Sequence, residues 1–263
     1  VTKYPEASAL EATDIERYIL VGTQNIRVDE ETGEAVQLRW AVNNISYAHP
    51  SVPLIGSAAQ TSLLQGWPTT LEGTVDMPKT PPVTWNFTEP VATGPGSTLG
   101  SKATAVIRLE KGQVFEFVLQ NAITLNGGAE VHTWHAHGHS FWVVGRGEGT
   151  FDPEVDIDTY NLVNPLLRDT VTLWPFGWVA IRFVANNPGV WFFHCHLTPH
   201  QIMGMAFSII VQPNEIGEPS ESVAFCDNES LGVNTGVDDV GGTSGAHDSD
   251  GVSGHLALVF LLS

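Results

Sequence analysis

The sequence has few basic residues, and it lacks the patterns of several structural classes. It contains 11 lysines and arginines and 29 aspartates and glutamates, so the net charge is −18. An acidic surface repels phosphate backbones, which excludes nucleic acid and anionic membranes as expected partners. We find no long amphipathic helix and no internal repeat. The apolar C-terminal stretch, LALVFLLS, is too short to span a bilayer.

What the chain does contain favours an all-β fold. The 263 residues include 26 glycines and 16 prolines, and 42% are hydrophobic, which is typical of a β-rich globular protein with many turns. Short segments rich in β-branched and aromatic residues begin at Arg17, Val36, Ala103, Gln113, Ser140, Asp169, Trp178, Gly189 and Met205. Many short strands separated by turns predict a sandwich or Greek-key barrel of eight or so strands.

Composition divides the chain into three parts. Residues 1–16 are polar and are interpreted as a linker from a preceding domain, whereas residues 17–212 hold the strand-like segments and predict a single domain. Within that domain, residues 50–101 are rich in proline and glycine and predict a long loop region. Residues 213–263 are acidic and rich in glycine and serine, so we expect a disordered tail with a short apolar end. Because the chain begins with valine and shows no signal pattern, we interpret it as an internal piece of a longer precursor.

The segment WFFHCHLTPHQIMGM, which begins at Trp191, carries the strongest chemical signal in the sequence. If its first residues form a strand, alternate side chains face opposite sides of that strand. Cys195 then faces one way, while His194 and His196 face the other. The thiolate would serve one metal centre, and the two histidines would be available to a second centre.

The same segment supplies further donors for the centre at Cys195. A turn after the strand would return His200 and Met205 to the same metal. A thiolate combined with imidazoles selects copper, and a weak axial methionine completes an electron-transfer site. Zinc is the main rival, but a zinc site rarely needs the methionine or two histidines turned away from it.

The remaining imidazoles lie upstream, in HTWHAHGH. His135 and His137 are two residues apart and share one face of a strand, whereas His132, three residues before His135, points to the other centre. His139 is expected to be a supporting or packing residue. A single HxH is commonplace in proteins, but two clusters with complementary spacing indicate a pair of transition-metal centres.

At these residues the chain resembles the C-terminal domain of multicopper oxidases and, within that family, the ascorbate oxidases of plants. HCHLTPHQIMGM matches the family pattern HCHxxxHxxxGM at every ligand, and HTWHAHGHSFWVVG matches HxxHxHGHxFWVxG. Similar segments follow in the same order from Arg17 to Gln212, among them ILVGTQN, RWAVNNIS and NPLLRDTV. The resemblance implies a cupredoxin-like Greek-key barrel that forms the third domain of a three-domain oxidase.

The resemblance assigns eight residues to two copper centres. The implied ligands of the mononuclear type 1 copper are His132, Cys195, His200 and, in the axial position, Met205. The implied ligands in the trinuclear cluster are His135 for the type 2 copper and, for the type 3 pair, His137, His194 and His196. The family's first domain supplies the other half of that cluster through HxH motifs, and no such motif precedes His132 here. The chain alone is therefore expected to lack the oxygen-reducing site, and the missing N-terminal cupredoxin domains of the same polypeptide are its expected partners.

The implied activity is the one-electron oxidation of a small organic reductant, L-ascorbate, coupled to the reduction of O2 to water. Electrons would enter at His200 and pass along Cys195 to His194 or His196, so these four residues are the expected catalytic ones. Trp40 stands where ascorbate oxidases place an aromatic wall of the reductant pocket, beside His200.

Three departures from close ascorbate oxidases, at Thr133, Ala136 and Thr198, leave the reductant open. One alternative is a laccase-type phenol oxidase. The other is a copper-binding cell-wall protein without full oxidase activity, although all eight ligand positions are filled here.

Sequons and the tail bear on localisation. N-glycosylation sequons at Asn44, Asn86 and Asn228 predict a secreted, extracellular glycoprotein of the cell wall or apoplast. The apolar end after a polar spacer is similar to a lipid-anchor signal but shorter than usual, and a frayed or truncated terminus is the alternative. Cys226 resembles a C-terminal cysteine that bridges to the family's first domain. A homodimer is compatible with the sequence.

Overall fold

The structure is a computed structural model that describes residues 7–28, 31–50, 54, 73–81 and 101–216. Within these ranges nearly all the regular structure is β-strand, as the sequence predicts. No helix in the described ranges is long and apolar enough to cross a membrane.

Thirteen strands are present in the described part of the chain. The first six are β1 (Ile15–Val28), β2 (Ala35–Val42), β3 (Ile45–Tyr47), β4 (Thr74–Asp76), β5 (Ser101–Leu109) and β6 (Val114–Asn121). The others are β7 (His132–Ala136), β8 (Phe141–Glu148), β9 (Leu166–Arg168), β10 (Thr170–Leu173), β11 (Gly177–Val184), β12 (Gly189–Cys195) and β13 (Ala206–Val211). A short helix, α1, is Thr198–Ile202, and 3₁₀ turns cover Ala7–Glu11, Asp156–Thr159 and Pro213–Glu215.

The strands pair into a continuous sheet in the order β10-β7-β12-β13-β5-β3-β2-β1-β6-β11-β8-β9, with β4 added beside β5. β5 connects two halves of this sheet, because it pairs in parallel with β13 on one side and with β3 on the other. The two halves enclose a shared core, as in a cupredoxin-like barrel. In one half, β7 lies between β10 and β12, and the two histidine motifs begin on β7 and at the end of β12.

Aromatic side chains fill the space between the two halves. The ring of Phe117, on β6, lies 5.5 Å from that of Phe193 and 5.8 Å from that of Phe207, on the opposite half. Phe193 and Phe207 stack at 4.9 Å. Each fully buried ring contributes about 1.5–3 kcal/mol through apolar burial, so this cluster holds the β12 strand firmly in place.

A second apolar cluster covers the outer face of β6 and β11. It contains Leu10, Val118, Trp142 and Trp178, so both faces of these two strands are buried. The carboxylate of Glu116, on β6, is buried there and accepts hydrogen bonds from the Arg182 guanidinium, one of them at 2.7 Å. A buried carboxylate is tolerated because it is paired and hydrogen-bonded.

All nine segments predicted to be strands are strands, but the prediction of eight or so is too low. The additional strands β3, β4, β7 and β9 are short, and none has a run of β-branched residues long enough to be recognised. β4 also interrupts the predicted loop at 50–101, most of which lies outside the described residues. The limits of the domain at 17–212 stay a prediction, and nearly all of the tail is likewise outside those residues.

Candidate metal centre

Alternation along β12 separates two sets of side chains. Phe193 and Cys195 point into the core between the two halves and are fully buried. Phe192 and His194 point the other way and stack at 4.7 Å, and His196 continues this row by stacking on His194 at 5.6 Å. The cysteine and its two neighbouring histidines therefore face opposite sides, as the sequence pattern predicts.

β7 repeats the division beside β12. His135 pairs with His194 in the antiparallel register, and Trp134 pairs with Cys195. His132 is fully buried on the core side together with Trp134. His135 and the exposed His137 lie on the other side. The three-residue interval between His132 and His135 thus places one histidine on each face.

A tight turn brings the rest of the motif back to Cys195. Helix α1 begins after Leu197, and Gln201 N–H donates to the Leu197 carbonyl at 3.1 Å. Met205 N–H then donates to the His200 carbonyl at 2.9 Å, and Cys195 N–H donates to the Met205 carbonyl at 3.0 Å. These bonds hold Cys195, His200 and Met205 next to one another through the backbone.

Gly204 allows this turn to press against the neighbouring strands. Its φ is +108°, and a Cβ there would lie 2.2 Å from the Ser46 Oγ and 2.9 Å from the Trp40 carbonyl oxygen. In that space Tyr47 N–H donates to the Gly204 carbonyl at 2.9 Å, and Trp40 N–H donates to the Met203 carbonyl at 3.0 Å. The glycine before Met205 is therefore required by conformation and by space.

Three donor atoms converge inside the core. The Nδ1 atoms of His132 and His200 are 3.1 Å apart, and they lie 3.9 Å and 3.8 Å from the Cys195 Sγ. All three residues are buried. Nitrogen and sulfur donors at about 2.0–2.3 Å from one ion in a trigonal plane lie roughly 3.5–3.7 Å apart. The side chains present therefore fit a single soft metal ion with very little rearrangement.

Burial keeps these donors uncharged. It lowers the pKa of His132 to about 3, with a smaller contribution from the nearby His200. It also lowers the pKa of His200, although the carboxylate of Glu130 opposes that shift. Burial raises the pKa of the Cys195 thiol. The imidazoles are therefore neutral and ready to bind a cation, whereas the thiol must release its proton when it binds one.

Glu130 fixes the orientation of the His200 ring. His200 Nε2–H donates to a Glu130 carboxylate oxygen at 3.0 Å, so Nδ1 keeps the lone pair that faces Cys195. The other Glu130 oxygen accepts from the Gln24 side-chain Nε2 at 3.2 Å. The Gln24 side-chain Oε1 in turn accepts from the Leu125 backbone N–H at 3.1 Å. Sequence reasoning missed Glu130 and Gln24. The signal that could have revealed Glu130 is its position two residues before His132.

Trp40 packs against both buried imidazoles. Its ring centroid is 4.8 Å from that of His132 and 4.7 Å from that of His200. Only 1% of Trp40 is exposed, so the indole contacts these imidazoles from within the core. Its expected part as a wall of a reductant pocket stays a prediction, and the structure adds that Trp40 closes off the inner side of the site.

The four histidines of the outer face form a second cluster. His137 Nε2 and His194 Nε2 are 3.1 Å apart, and the His135 ring lies 5.0 to 5.8 Å from the other three rings. Both His137 and His196 are exposed. This cluster, which we call the open histidine face, consists of His135, His137, His194 and His196.

Hydrogen bonds set the tautomers on the open histidine face. His135 Nδ1–H donates to the Asp169 carbonyl at 2.9 Å, with the Thr170 hydroxyl at 3.0 Å. His194 Nδ1–H donates to the Cys195 carbonyl at 3.0 Å. A carbonyl only accepts, so the proton sits on Nδ1 and the lone pair on Nε2 in both rings. Burial, the largest cause, lowers the pKa of His194 to about 4, so this ring is neutral.

Several other residues lie outside both clusters or outside the described part of the chain. His139 is buried and packs against Phe183 and Trp191, in line with a packing residue. Met77 is buried in the core, and His49 is exposed beside Phe192. Asn44 lies at the β2–β3 turn. Cys226, Asn86 and Asn228 lie outside the described residues.

Comparisons with known proteins find similar sequences. A family profile described as multicopper oxidase matches residues 74–215. The L-ascorbate oxidase of Brassica rapa subsp. pekinensis is 42% identical over 80% of this chain and 34% of its own length. Laccase-13 of Arabidopsis thaliana is 40% identical over 66% of this chain and 29% of its own length.

The fold also matches solved structures. The crystal structure of Fet3p, a multicopper oxidase that functions in iron import, has a TM-score of 0.53 at 23% identity, over 84% of this chain and 35% of that protein. A laccase from B. aclada gives a TM-score of 0.51 at 22% identity, over 78% of this chain and 30% of that protein. The chain spans about a third of the length of the curated relatives that it matches.

Proposed function

Because this chain belongs to the multicopper oxidase family, we propose that it is the copper-binding C-terminal part of an oxidase of the L-ascorbate oxidase type. The parent protein would couple the one-electron oxidation of a small organic reductant to the reduction of O2 to water. The observation that carries this proposal is the pair of donor clusters on opposite faces of β12, with Cys195 in one and His194 in the other.

The buried donors fit a type 1 copper. His132, Cys195, His200 and Met205 would hold it. When bound, copper supplies the one-electron chemistry. Enclosure by the core keeps water from the thiolate, and the Glu130 carboxylate holds the His200 ring with Nδ1 toward the thiolate. Because only the His200 edge approaches the surface, at 7% exposure, we assign electron entry to this ring.

The polypeptide itself connects the two centres. Cys195 is bonded through its backbone to His194 and His196, which face the open side. Electrons that enter at His200 would therefore need to cross only the Cys195 side chain and one peptide unit to reach either histidine. His135 would serve the type 2 copper, and His137, His194 and His196 the type 3 pair. The remaining ligands would come from N-terminal cupredoxin domains of the same polypeptide, which is consistent with the third of the relatives' length that this chain spans.

Two ligands on opposite faces of the sheet make a matched test of this proposal. In the copper-loaded protein, Cys195→Ser should abolish the intense blue absorption, because a hydroxyl does not replace the soft thiolate. His135→Ala should keep that absorption, since its ring belongs to the other face. The visible spectrum and the bound copper per chain are measured for each variant. Loss of the blue band in His135→Ala with retention in Cys195→Ser would overturn the division into two centres.

The second candidate function is a laccase-type oxidase with a phenolic reductant. The identity of 40% to Laccase-13 supports this candidate. The identity of 42% to an L-ascorbate oxidase favours ascorbate. We expect the purified parent protein to have a higher kcat/KM for ascorbate than for a simple phenol. O2 uptake with each reductant decides the matter, and a higher value for the phenol would make the protein a laccase. Secretion and glycosylation at Asn44, Asn86 or Asn228 belong to the same proposal.

A further inference from the structure

Gly22 lies directly against the methyl group of Met205. If position 22 carried a Cβ, that carbon would lie 2.2 Å from the Met205 Cε and 3.9 Å from its Sδ. Carbon atoms in ordinary contact are at least about 3.4 Å apart, so the methyl occupies the place of a side chain at position 22. Met205 is completely buried, so its methyl group can withdraw only if its neighbours repack to some extent.

The backbone at position 22 does not itself require glycine. Gly22 lies in the middle of β1, paired with Val42 on one side and Asn121 on the other, and it is not among the residues with positive φ. An L-amino acid can adopt this extended conformation. Glycine is costly in the interior of a strand, because it leaves more conformational freedom in the unfolded chain. The steric demand at this position therefore comes from Met205.

The face of β1 that carries Gly22 supports the buried centre at a second point. Side chains two residues apart share a face of a strand, which places Leu20, Gly22 and Gln24 on one side. Leu20 belongs to the central core. Gln24 reaches Glu130, which in turn holds the His200 ring. One strand face thus contacts Met205 directly and His200 through Glu130.

We propose that Gly22 is a positioning residue for Met205, and that its missing side chain sets the position of the thioether relative to the copper. This inference rests on the proposed function, in which Met205 is the axial ligand. An axial thioether bond is weak and long, and it tunes the reduction potential of a blue copper site. A displacement of the sulfur therefore changes the potential while the His132, Cys195 and His200 ligands stay in place.

The test is Gly22→Ala in the copper-loaded protein. The added methyl displaces the Met205 methyl by about an ångström, because the end of an unbranched side chain yields more easily than a strand. We expect the blue band to persist, while the reduction potential and the paramagnetic resonance spectrum of the copper change. Gly128→Ala is the matched control, since its Cβ makes an ordinary contact of 3.4 Å with Asn126 Oδ1. The Gly128→Ala control should have the same reduction potential and resonance spectrum as the unsubstituted protein. If Gly22→Ala also leaves both unchanged, the inference is overturned.

A second background separates this inference from the proposed function. If Met205→Ala leaves the potential unchanged, Met205 is not an axial ligand and the proposed function loses that element. If Met205→Ala shifts the potential, Gly22→Ala should add no further shift in that background, because the displaced methyl is absent. An equal shift in both backgrounds overturns the inference, since the effect would then bypass Met205.

Stability of the copper-free protein gives a readout that does not depend on the metal. Gly22→Ala should lower the melting temperature when it is made in the unsubstituted protein. It should not lower the melting temperature when it is added to the Met205→Ala variant. If Gly22→Ala alone fails to fold, folding of the double variant supports the inference. Failure of the double variant as well overturns it.

Discussion

The sulfur of Cys195 and the ring nitrogens of His132 and His200 are uncharged in the metal-free fold, because burial disfavours every charged form. A cation that binds there replaces one proton, that of the thiol, and meets no protonated imidazole at neutral pH. The desolvation that disfavours an isolated thiolate is offset when the metal provides the opposite charge. The three donors are therefore compatible with a folded core before any metal binds.

At the same scale, the metal-free chain should lose stability in mild acid. The folded pKa of His132 is about 3 against 6.5 in the unfolded chain, so the unfolded state binds more protons between these values. The free energy of unfolding thus falls as the pH falls from 6.5 toward 3, by up to about 1.4 kcal/mol per pH unit for this residue. His194 adds to the loss in the same direction. Urea unfolding at a series of pH values measures this slope.

His132→Leu is the control for that slope. It removes the titrating imidazole and keeps an apolar side chain in a buried position, so its stability should depend less on pH over the same window. An unchanged slope in His132→Leu would show that other groups cause the acid sensitivity.

Residue spacing was enough to predict how Cys195 and the seven histidines of the two motifs divide between two clusters, because each motif lies within one short segment. The supporting residues Glu130, Gln24 and Thr170 were not predicted. Gln24 lies on β1, more than a hundred residues before the motif that it supports, and only the pairing of β1 with β6 brings it near. The open histidine face also required the β7–β12 register, which places His135 opposite His194.

At the scale of elements, the turn from α1 to β13 is held by its contact with β2 and β3. Gly204 combines a positive φ with a space too small for a Cβ, so the turn is specified by one residue. The backbone bonds from Trp40 and Tyr47 to this turn depend on that close approach. His200 and Met205 flank the turn, and their positions follow from it.

Gly204→Ala should therefore destabilise the protein by about 2–4 kcal/mol, as backbone strain adds to overpacking. Copper affinity should fall as well, since the turn carries two of the proposed ligands. Gly33→Ala is the matched control, because Gly33 has a φ of +70° but no atom within 4 Å of its Cβ. Gly33→Ala should lower the free energy of unfolding only through backbone strain at positive φ, by about 1 kcal/mol. Equal losses in urea unfolding for both variants would show that the close approach at Gly204 is unimportant.

Strands with β-branched and aromatic runs were predicted from the sequence, and the short or polar strands were not. β7, HTWHA, has the composition of a metal motif and gains its strand structure from pairing with β10 and β12. The outer cluster around Trp142 and Trp178 was also missed. Its members look like ordinary core residues, and sequence alone does not say which of two cores a buried residue joins.

At the scale of the whole molecule, the proposed function gives the chain one complete donor set and part of another. We expect the 263-residue chain, expressed alone with copper, to show the blue absorption without ascorbate-dependent O2 uptake, because four imidazoles are too few for a trinuclear cluster. Joining the chain to the preceding domains of the parent protein should restore O2 uptake, measured with an oxygen electrode. Sustained uptake by the monomeric chain alone would contradict the proposed division of the cluster between domains.

The contrast in solvent access between the two histidine groups has a consequence for biosynthesis. His132 and Cys195 are completely buried and His200 is 7% exposed, so the proposed copper ion would have to arrive while the chain is still folding or during a transient opening. His137 and His196 remain reachable from solvent in the folded domain, and imidazoles of this kind also accept zinc or nickel. Under the proposed function, the order in which folding, copper delivery and domain assembly occur would therefore decide which ion is captured.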